Sequence, residues 1–282
     1  MKTRVVGPGG REVLFGDGLP TVLIGERINP FGKSGIKEAL LAGSTEAAKR
    51  EALSQVAAGA DMILVNVGAF GIDETTMLPK LVGELIKIID VPLAIESRNR
   101  EALDATLSLG LGTPLVNSIT GEENVLADVL PVVQKYNTPV VALATDSAGI
   151  PSAPEARVEV LKKIVARAEN AGISRDRIVA DCLAESAGIN PKAAETTIRT
   201  MRLVKEELGL NLCMGASNIS FGLPVRSYIN TVFMALVVNA GLDSAIVNVQ
   251  TVKPYVLAAD LVSGRDPRAR RYTAYCRSLK KG

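Results

Sequence analysis

Short apolar runs alternate along the chain with longer segments in which apolar residues recur every three or four positions. The first segment, TRVVGPGGREVLFG, has a Gly-Pro-Gly-Gly turn between apolar stretches and reads as a β-hairpin. Eight strand candidates follow: TVLIGE, DMILVNV, VPLAIES, TPLVNSI, TPVVALAT, DRIVADC, LNLCMGAS and DSAIVNV. The segments between them include STEAAKREALSQVAAGA, ETTMLPKLVGELIKIID, NREALDATLSLG, EENVLADVLPVVQKY, PEARVEVLKKIVARAENAG and PKAAETTIRTMRLVKEELG. They begin near Ser, Thr, Asp, Glu or Pro and end near Gly or Asn, as helix caps require.

The strands are too apolar to face water on either side, and they alternate with helices, so the pattern predicts an α/β protein with a parallel sheet. Eight such units fit a closed (β/α)8 TIM barrel preceded by a short N-terminal β-hairpin. An open doubly wound sheet is the competing arrangement, but no Gly-x-Gly-x-x-Gly follows any strand. No linker divides the chain, so residues 1–282 are expected to form a single domain.

Composition narrows the chemistry. The 282 residues are 47% hydrophobic, enough for one large core, and carry a formal charge of +2 with the signs well mixed. The mixing gives no basic stripe for nucleic acid. Only the C-terminal RDPRARRYTAYCRSLKKG is strongly basic, and it reads as a solvated terminus. No run approaches a membrane span and MKTRVVGPGG lacks a leader pattern, so a cytoplasmic protein without membrane contact is expected. Three widely spaced cysteines, Cys182, Cys213 and Cys276, read as reduced thiols. The chain has no histidine at all. That removes the commonest proton shuttle and the commonest metal ligand together, so no bound metal is expected.

In a barrel the C-terminal strand ends converge on one mouth. Here those ends carry Glu26, Arg27, Asn29, Asn66, Glu96, Ser97, Asn99, Asn117, Ser118, Thr145, Asp146, Asp181, Ser217, Asn218 and Asn248. A lone polar residue at a strand end is ordinarily a cap or turn, as for Ser97, Asn99 and Ser118. Asn66, Glu96, Asn117, Asp181 and Asn218 instead interrupt or end apolar runs, where an unpaired amide or acid costs about 1 to 3 kcal/mol. A ligand rich in donors and acceptors would relieve that cost. Carboxylates accept from paired N–H groups and amides do both, a set that matches a flat heterocycle with amino, lactam and ring-nitrogen edges, such as a pterin. A sugar phosphate matches less well, because GASNISFGLP and VNVQTVKP are weak phosphate loops.

IGERINPFGK, ILVNVGAFG, LAIESRN, LVNSIT, VADCL and GASNISFGLPVRSYINTVFMALVVNAGLDSAIVNV, in this order, resemble the pterin-binding methyltransferases over residues 21 to 262. That family includes methyltetrahydrofolate:corrinoid/iron–sulfur protein methyltransferase and the folate domain of cobalamin-dependent methionine synthase. The resemblance implies transfer of a methyl group between N5 of (methyl)tetrahydrofolate, a co-substrate, and the cobalt of a corrinoid. No Asp-x-His-x-x-Gly motif is present, so the corrinoid (cobalamin) is expected on a separate corrinoid-binding partner protein. It also implies a homodimer, for which INTVFMALVVNAGL is an apolar element fitted to core or interface.

Carried over by position, the implied pterin-binding residues are Glu96, Asn117, Asp181 and Asn218, joined by Asn66 and Ser217 at neighbouring strand ends. Asn218 is the implied catalytic residue, its amide bonding N5, while Ser217 and Ser220 also read as supports of the turn. Two positions depart from the family pattern. Glu96 stands where aspartate is usual, and Leu64 stands where the second strand usually begins an Asp-x-Asn-x-Gly motif. Dihydropteroate synthase shares such a barrel, but its Asn followed by Thr-Pro-Asp-Ser-Phe-Ser and its Lys-x-Ser and Arg-x-His pattern are absent. The Leu64 and Glu96 departures also motivate a non-enzymatic alternative, an inactive folate-binding subunit.

Overall fold

The computed structural model of the chain describes residues 1–31 and 35–280. Gly32 and Lys33 of IGERINPFGK, and Lys281 and Gly282 of the basic C-terminus, lie outside the described residues. Strands β1 (Lys2–Val6) and β2 (Glu12–Gly16) pair antiparallel as the hairpin. The parallel strands β3 (Val22–Ile28), β4 (Met62–Asn66), β5 (Leu93–Glu96), β6 (Leu115–Ile119), β7 (Val140–Leu143), β8 (Ile178–Asp181), β9 (Asn211–Gly215) and β10 (Ser244–Val247) close into a barrel in sequence order. Seven of the eight candidates from the sequence contain one of them whole, and TVLIGE stops at Glu26 where β3 runs on to Ile28.

Around the barrel run α1 (Ile36–Leu41), α2 (Glu46–Ala57), α3 (Glu74–Leu85), α4 (Arg100–Leu107), α5 (Glu123–Lys135), α6 (Pro154–Asn170), α7 (Ala193–Leu203), α8 (Arg226–Asn239), α9 (Val249–Val262) and α10 (Arg270–Leu279). Asp73 and Asn99 cap α3 and α4, accepting from Thr75 N–H and from the Glu101 and Ala102 N–H groups. Asn99 is therefore the helix cap that its position suggested. No helix among the described residues is long and apolar enough to cross a membrane.

Strand side chains alternate between faces, so each barrel strand feeds two cores. The outward set packs against the helices. The inward set, Val22, Ile24, Met62, Leu64, Ala94, Leu115, Val141, Val179, Cys213 and Ile246, forms a second cluster together with Val5 and Phe15 of the hairpin. The hairpin thus closes the N-terminal end of the barrel with two fully buried side chains. A two-stranded ribbon is marginal alone, and burying Phe15 contributes about 1.5 to 3 kcal/mol to its docking.

One segment differs from its sequence reading. The basic C-terminus forms α10 rather than a solvated tail: Arg271 Nη1 reaches Asp260 Oδ2 at 3.4 Å, and Asp266 accepts from the Arg271 and Tyr272 N–H groups. Those partners lie outside its own apolar pattern, so periodicity alone gave no sign of them. The segment INTVFMALVVNAGL serves the core on one side, through Phe233, Met234, Val237 and Val238, and exposes Val232 and Leu236 on another, where Tyr228, just before it on α8, is exposed too.

Candidate functional site

The inward alternation that fills the barrel with apolar residues continues to the C-terminal strand ends, where the next inward residue is polar on most strands. On β3 the series Val22, Ile24 ends in Glu26; on β4, Met62 and Leu64 lead to Asn66. Ala94 leads to Glu96, Leu115 to Asn117, and Val179 to Asp181. Strand register then sets Asn66 opposite Glu96 and Glu96 opposite Asn117. The resulting belt surrounds a cavity of about 520 Å³, whose lining includes Asn66, Glu96, Asn117, Asp181 and Asn218. Leu64, Leu143 and Ile246 supply its apolar surface.

The belt is internally bonded. Gly68 N–H donates to Asn66 Oδ1 at 2.8 Å, and Asn117 Nδ2 approaches Glu96 Oε2 at 3.5 Å. Burial nevertheless pushes the Glu96 carboxyl above its ordinary value, because desolvation outweighs the Asn117 donor. Asp181 is more deeply buried. It accepts from Leu183 N–H at 2.8 Å and from Gly215 N–H at 3.4 Å, and desolvation still pushes its pKa up to about 6.

The loop carrying Asp181 is held from outside the barrel. Arg157 of α6 is fully buried, and its guanidinium donates to the carbonyls of Cys182 at 2.9 Å, Leu183 at 2.8 Å and Pro151 at 2.8 Å, and to the Glu185 carboxylate. Thr197 Oγ1 donates to the Leu183 carbonyl as well. These bonds fix Leu183 in a left-handed conformation at φ 60°, a conformation that costs a non-glycine residue about 1 kcal/mol or more. The same conformation turns the Leu183 N–H onto Asp181.

After β9 the chain makes a 3-10 turn, Ala216–Ser220, and α8 begins only at Arg226. Successive residues of a 3-10 turn point about 120° apart. Asn218 therefore faces the cavity, and its amide makes no side-chain hydrogen bond among the described residues. Ser217 faces Glu26, donating to Oε1 at 3.0 Å and Oε2 at 3.2 Å. Ser220 Oγ donates to the Ser217 carbonyl at 3.1 Å, and Arg226 bridges that carbonyl and Ser220 Oγ at 2.6 and 2.9 Å. The turn is thus tied at both ends. Of the six residues expected to bind pterin, five line the first cavity and Ser217 does not.

Ser217 lines an adjoining cleft of about 480 Å³ with Arg27, Arg226, Asn230 and Asn248. Glu26, Asn29, Phe31 and Asn218 are common to both spaces. The Oδ1 atoms of Asn230 and Asn248 are buried there without a partner among the described residues. Burial raises the Glu26 carboxyl above its usual range despite the Ser217 hydroxyl and the nearby Arg226 and Arg27 charges.

One acid at the mouth has no counterpart in the sequence reading. Glu74, the first residue of α3, leans over the cavity and accepts from Ser97 Oγ at 2.6 Å. An acid in a first helical turn reads as a partner of the helix dipole, so nothing in its spacing marked it for the cavity. Among the described residues, Glu26, Glu74, Glu96 and Asp181 form no ion pair; Arg98, beside them, is 3.9 Å from Glu122 instead. No group of three His, Cys, Asp or Glu side chains among the described residues is placed to hold a metal ion. The cavity is therefore rich in acceptors and suited to a ligand that brings N–H donors.

A methylcorrinoid:tetrahydrofolate methyltransferase from Eubacterium limosum is 31% identical over 270 residues, covering 93% of this chain and 98% of that protein. A methionine synthase from Mycobacterium leprae is 29% identical over 249 residues, covering 83% of this chain but only 21% of that much longer protein. Dihydropteroate synthases share the fold. The Coxiella burnetii structure in complex with pteroic acid has a TM-score of 0.69 at 17% identity, covering 93% of this chain and 98% of that one. A Yersinia pestis dihydropteroate synthase has a TM-score of 0.71 at 15% identity, with 92% and 99% covered. Residues 25–248, from the first barrel strand to the end of the last, match the family described as pterin binding enzyme, and the chain belongs to that family.

Proposed function

We propose that the protein transfers a methyl group between N5 of (methyl)tetrahydrofolate and the cobalt of a corrinoid carried on a separate protein. The observation that carries this reading is the convergence of Asn66, Glu96, Asn117, Asp181 and Asn218 on one cavity, in a chain matched nearly end to end by a relative named for that reaction. The acids accept from the ring's N–H groups, the amides satisfy its mixed edges, and the apolar side chains meet its faces.

The N5–methyl bond breaks with its electron pair left on N5, and cobalt(I) supplies the pair for the new bond. An amine anion is too basic to leave, so N5 needs a proton or a strong hydrogen bond in the transition state. Asn218 is a positioned dipole for N5, and the buried Asp181 and half-buried Glu26 are the carboxyls that hydrogen-bond to its turn, through Gly215 and Ser217. Run in the other direction, the two carboxyls receive the proton that N5 releases, and Asn218 again orients N5. Direction belongs to the corrinoid partner's redox state rather than to the barrel.

In this reading the chain is one pterin-binding domain over residues 1–282, acting in the cytoplasm as a homodimer. Free cysteines and the exposed Tyr228, Val232 and Leu236 on α8 support those two assignments. Mixing the protein with methyltetrahydrofolate and chemically reduced cobalamin, and following the cob(I)alamin absorbance, tests the reaction. Protein-dependent loss of that absorbance is expected. Pterin binding by calorimetry without any transfer would replace the enzyme with a folate-binding subunit.

A further inference from the structure

We infer that Glu74 is a specificity-determining contact of the pterin cavity, selecting reduced pterins over the fully oxidised ring; the inference rests on the pterin reading above. Glu74 comes from α3, not from a strand end, and its carboxylate enters the cavity between Asn66 and Ser97. The space it occupies is kept open by Gly68. A Cβ at that position would lie 3.0 Å from Glu74 Oε1 and 3.3 Å from Asn66 Oδ1, and Gly68 has no positive φ that would itself require glycine. Glycine here serves close approach.

The local bonding fixes what Glu74 offers. Ser97 Oγ accepts from Asn99 N–H at 3.1 Å and gives its single proton to Glu74 Oε2. Asn66 Oδ1 is occupied by Gly68 N–H. Glu74 Oε1 is then an acceptor without a donor from the protein among the described residues, facing the same space as Glu96. Asp73 already caps α3 through Thr75 N–H, so the helix start does not depend on Glu74.

Ionised carboxylates only accept hydrogen bonds. A tetrahydropterin has N–H at ring position 8, and at position 5 when unmethylated, besides its amino and lactam N–H groups. The aromatic, fully oxidised ring turns both positions into bare acceptors. Toward a wall of Glu74 and Glu96, the reduced ring brings a donor where the oxidised ring brings a lone pair. Leu64, inward on the same strand as Asn66, supplies no polar group to compensate, so discrimination on this side falls to the two glutamates.

The test is calorimetric titration of the parent, Glu74→Gln and Glu74→Ala with tetrahydrofolate under anaerobic conditions and with folic acid. The parent is expected to prefer tetrahydrofolate. Glu74→Ala should weaken tetrahydrofolate by roughly tenfold or more and change folic acid by less than about threefold, shrinking the ratio. Glu74→Gln keeps the shape and the Ser97 bond while presenting an NH2 group, and should shrink the ratio further by favouring folic acid. Equal losses for both ligands, or an unchanged ratio in both variants, would overturn the assignment. Should Glu74→Ala not fold, the ratio in Glu74→Gln decides alone. A parent that binds neither ligand would sink the pterin reading itself, a result distinct from an unchanged ratio.

Discussion

Replacing Asp181 by asparagine should make the ligand-free protein more stable and the site worse. Burial holds the Asp181 pKa at about 6 against an ordinary value of 3.8, and at about 1.4 kcal/mol per pKa unit ionising it in the folded state costs about 3 kcal/mol. The folded protein binds the proton more tightly than the unfolded chain, so stability is unaffected below about pH 4. It falls as pH rises through the interval to about 6, and the full cost is present above that. Asp181→Asn removes the cost but keeps one acceptor for the Leu183 N–H, losing the longer contact to Gly215, worth about 1 kcal/mol. Urea unfolding of the ligand-free variant should show a gain of about 1 to 2 kcal/mol at pH 7.5 and a loss of about 1 kcal/mol at pH 4, where only the Gly215 contact is removed. Methyltetrahydrofolate, whose N–H groups favour the ionised acid, should bind the variant about 10- to 100-fold more weakly at pH 7.5. In the parent, its affinity should tighten as pH rises through about 6. A variant destabilised equally at both pH values would refute the reasoning and make Asp181 a purely structural acceptor.

Asn218→Ala should lower methyl transfer to cob(I)alamin by about 10² to 10³ with a smaller loss of pterin affinity; equal losses would make Asn218 a binding residue only. Arg157→Met should destabilise the protein by about 3 kcal/mol or more, because the Cys182 carbonyl loses its donor, the Leu183 carbonyl keeps only Thr197 Oγ1 and Glu185 loses its ion pair; a change under about 1 kcal/mol in urea unfolding would contradict the bonding described. A double-mutant cycle between Glu26→Gln and Ser217→Ala should give a transfer-rate coupling of about 0.5 to 3 kcal/mol, and additivity would disconnect the pair. Light scattering should give twice the 29.7 kDa of one chain, and a monomer mass at micromolar concentration would remove the homodimer.

The barrel was legible because a strand covered on both faces must be apolar at every position, and such runs stand out against helical periodicity. The belt was legible for the related reason that a polar residue breaking such a run is conspicuous, as at Asn66 and Asn117. What pattern could not convey is direction around a turn. Ser217 and Asn218 are adjacent in sequence and share one strand end, yet the 3-10 geometry sends one toward Glu26 and the other into the cavity. Glu74 was hidden differently: its place above the mouth follows from how α3 leaves the barrel, and its own segment reads as an ordinary helix start. Arg157 lies on a helix whose surroundings include the β8 loop, so its burial depends on a contact 25 residues away.

The departures at Leu64 and Glu96 have a common physical consequence. An apolar Leu64 joins Leu143 and Ile246, so the cavity has an apolar floor below a belt of amides and acids. That division suits a flat ring, whose faces want apolar contact and whose edges want hydrogen bonds. Glu96, one methylene longer than aspartate, lies beside Asn66 on one neighbouring strand and is approached by Asn117 Nδ2 from the other, which lowers the freedom its extra torsion would bring. On the proposed function the strands would hold the ring's edge groups rigidly, while Asn218 sits on a turn tied down through Ser217, Ser220 and Arg226. A group that must respond to charge developing on N5 is best placed on such a tethered turn, because a strand end is committed to the ladder and a free loop would not be preorganised.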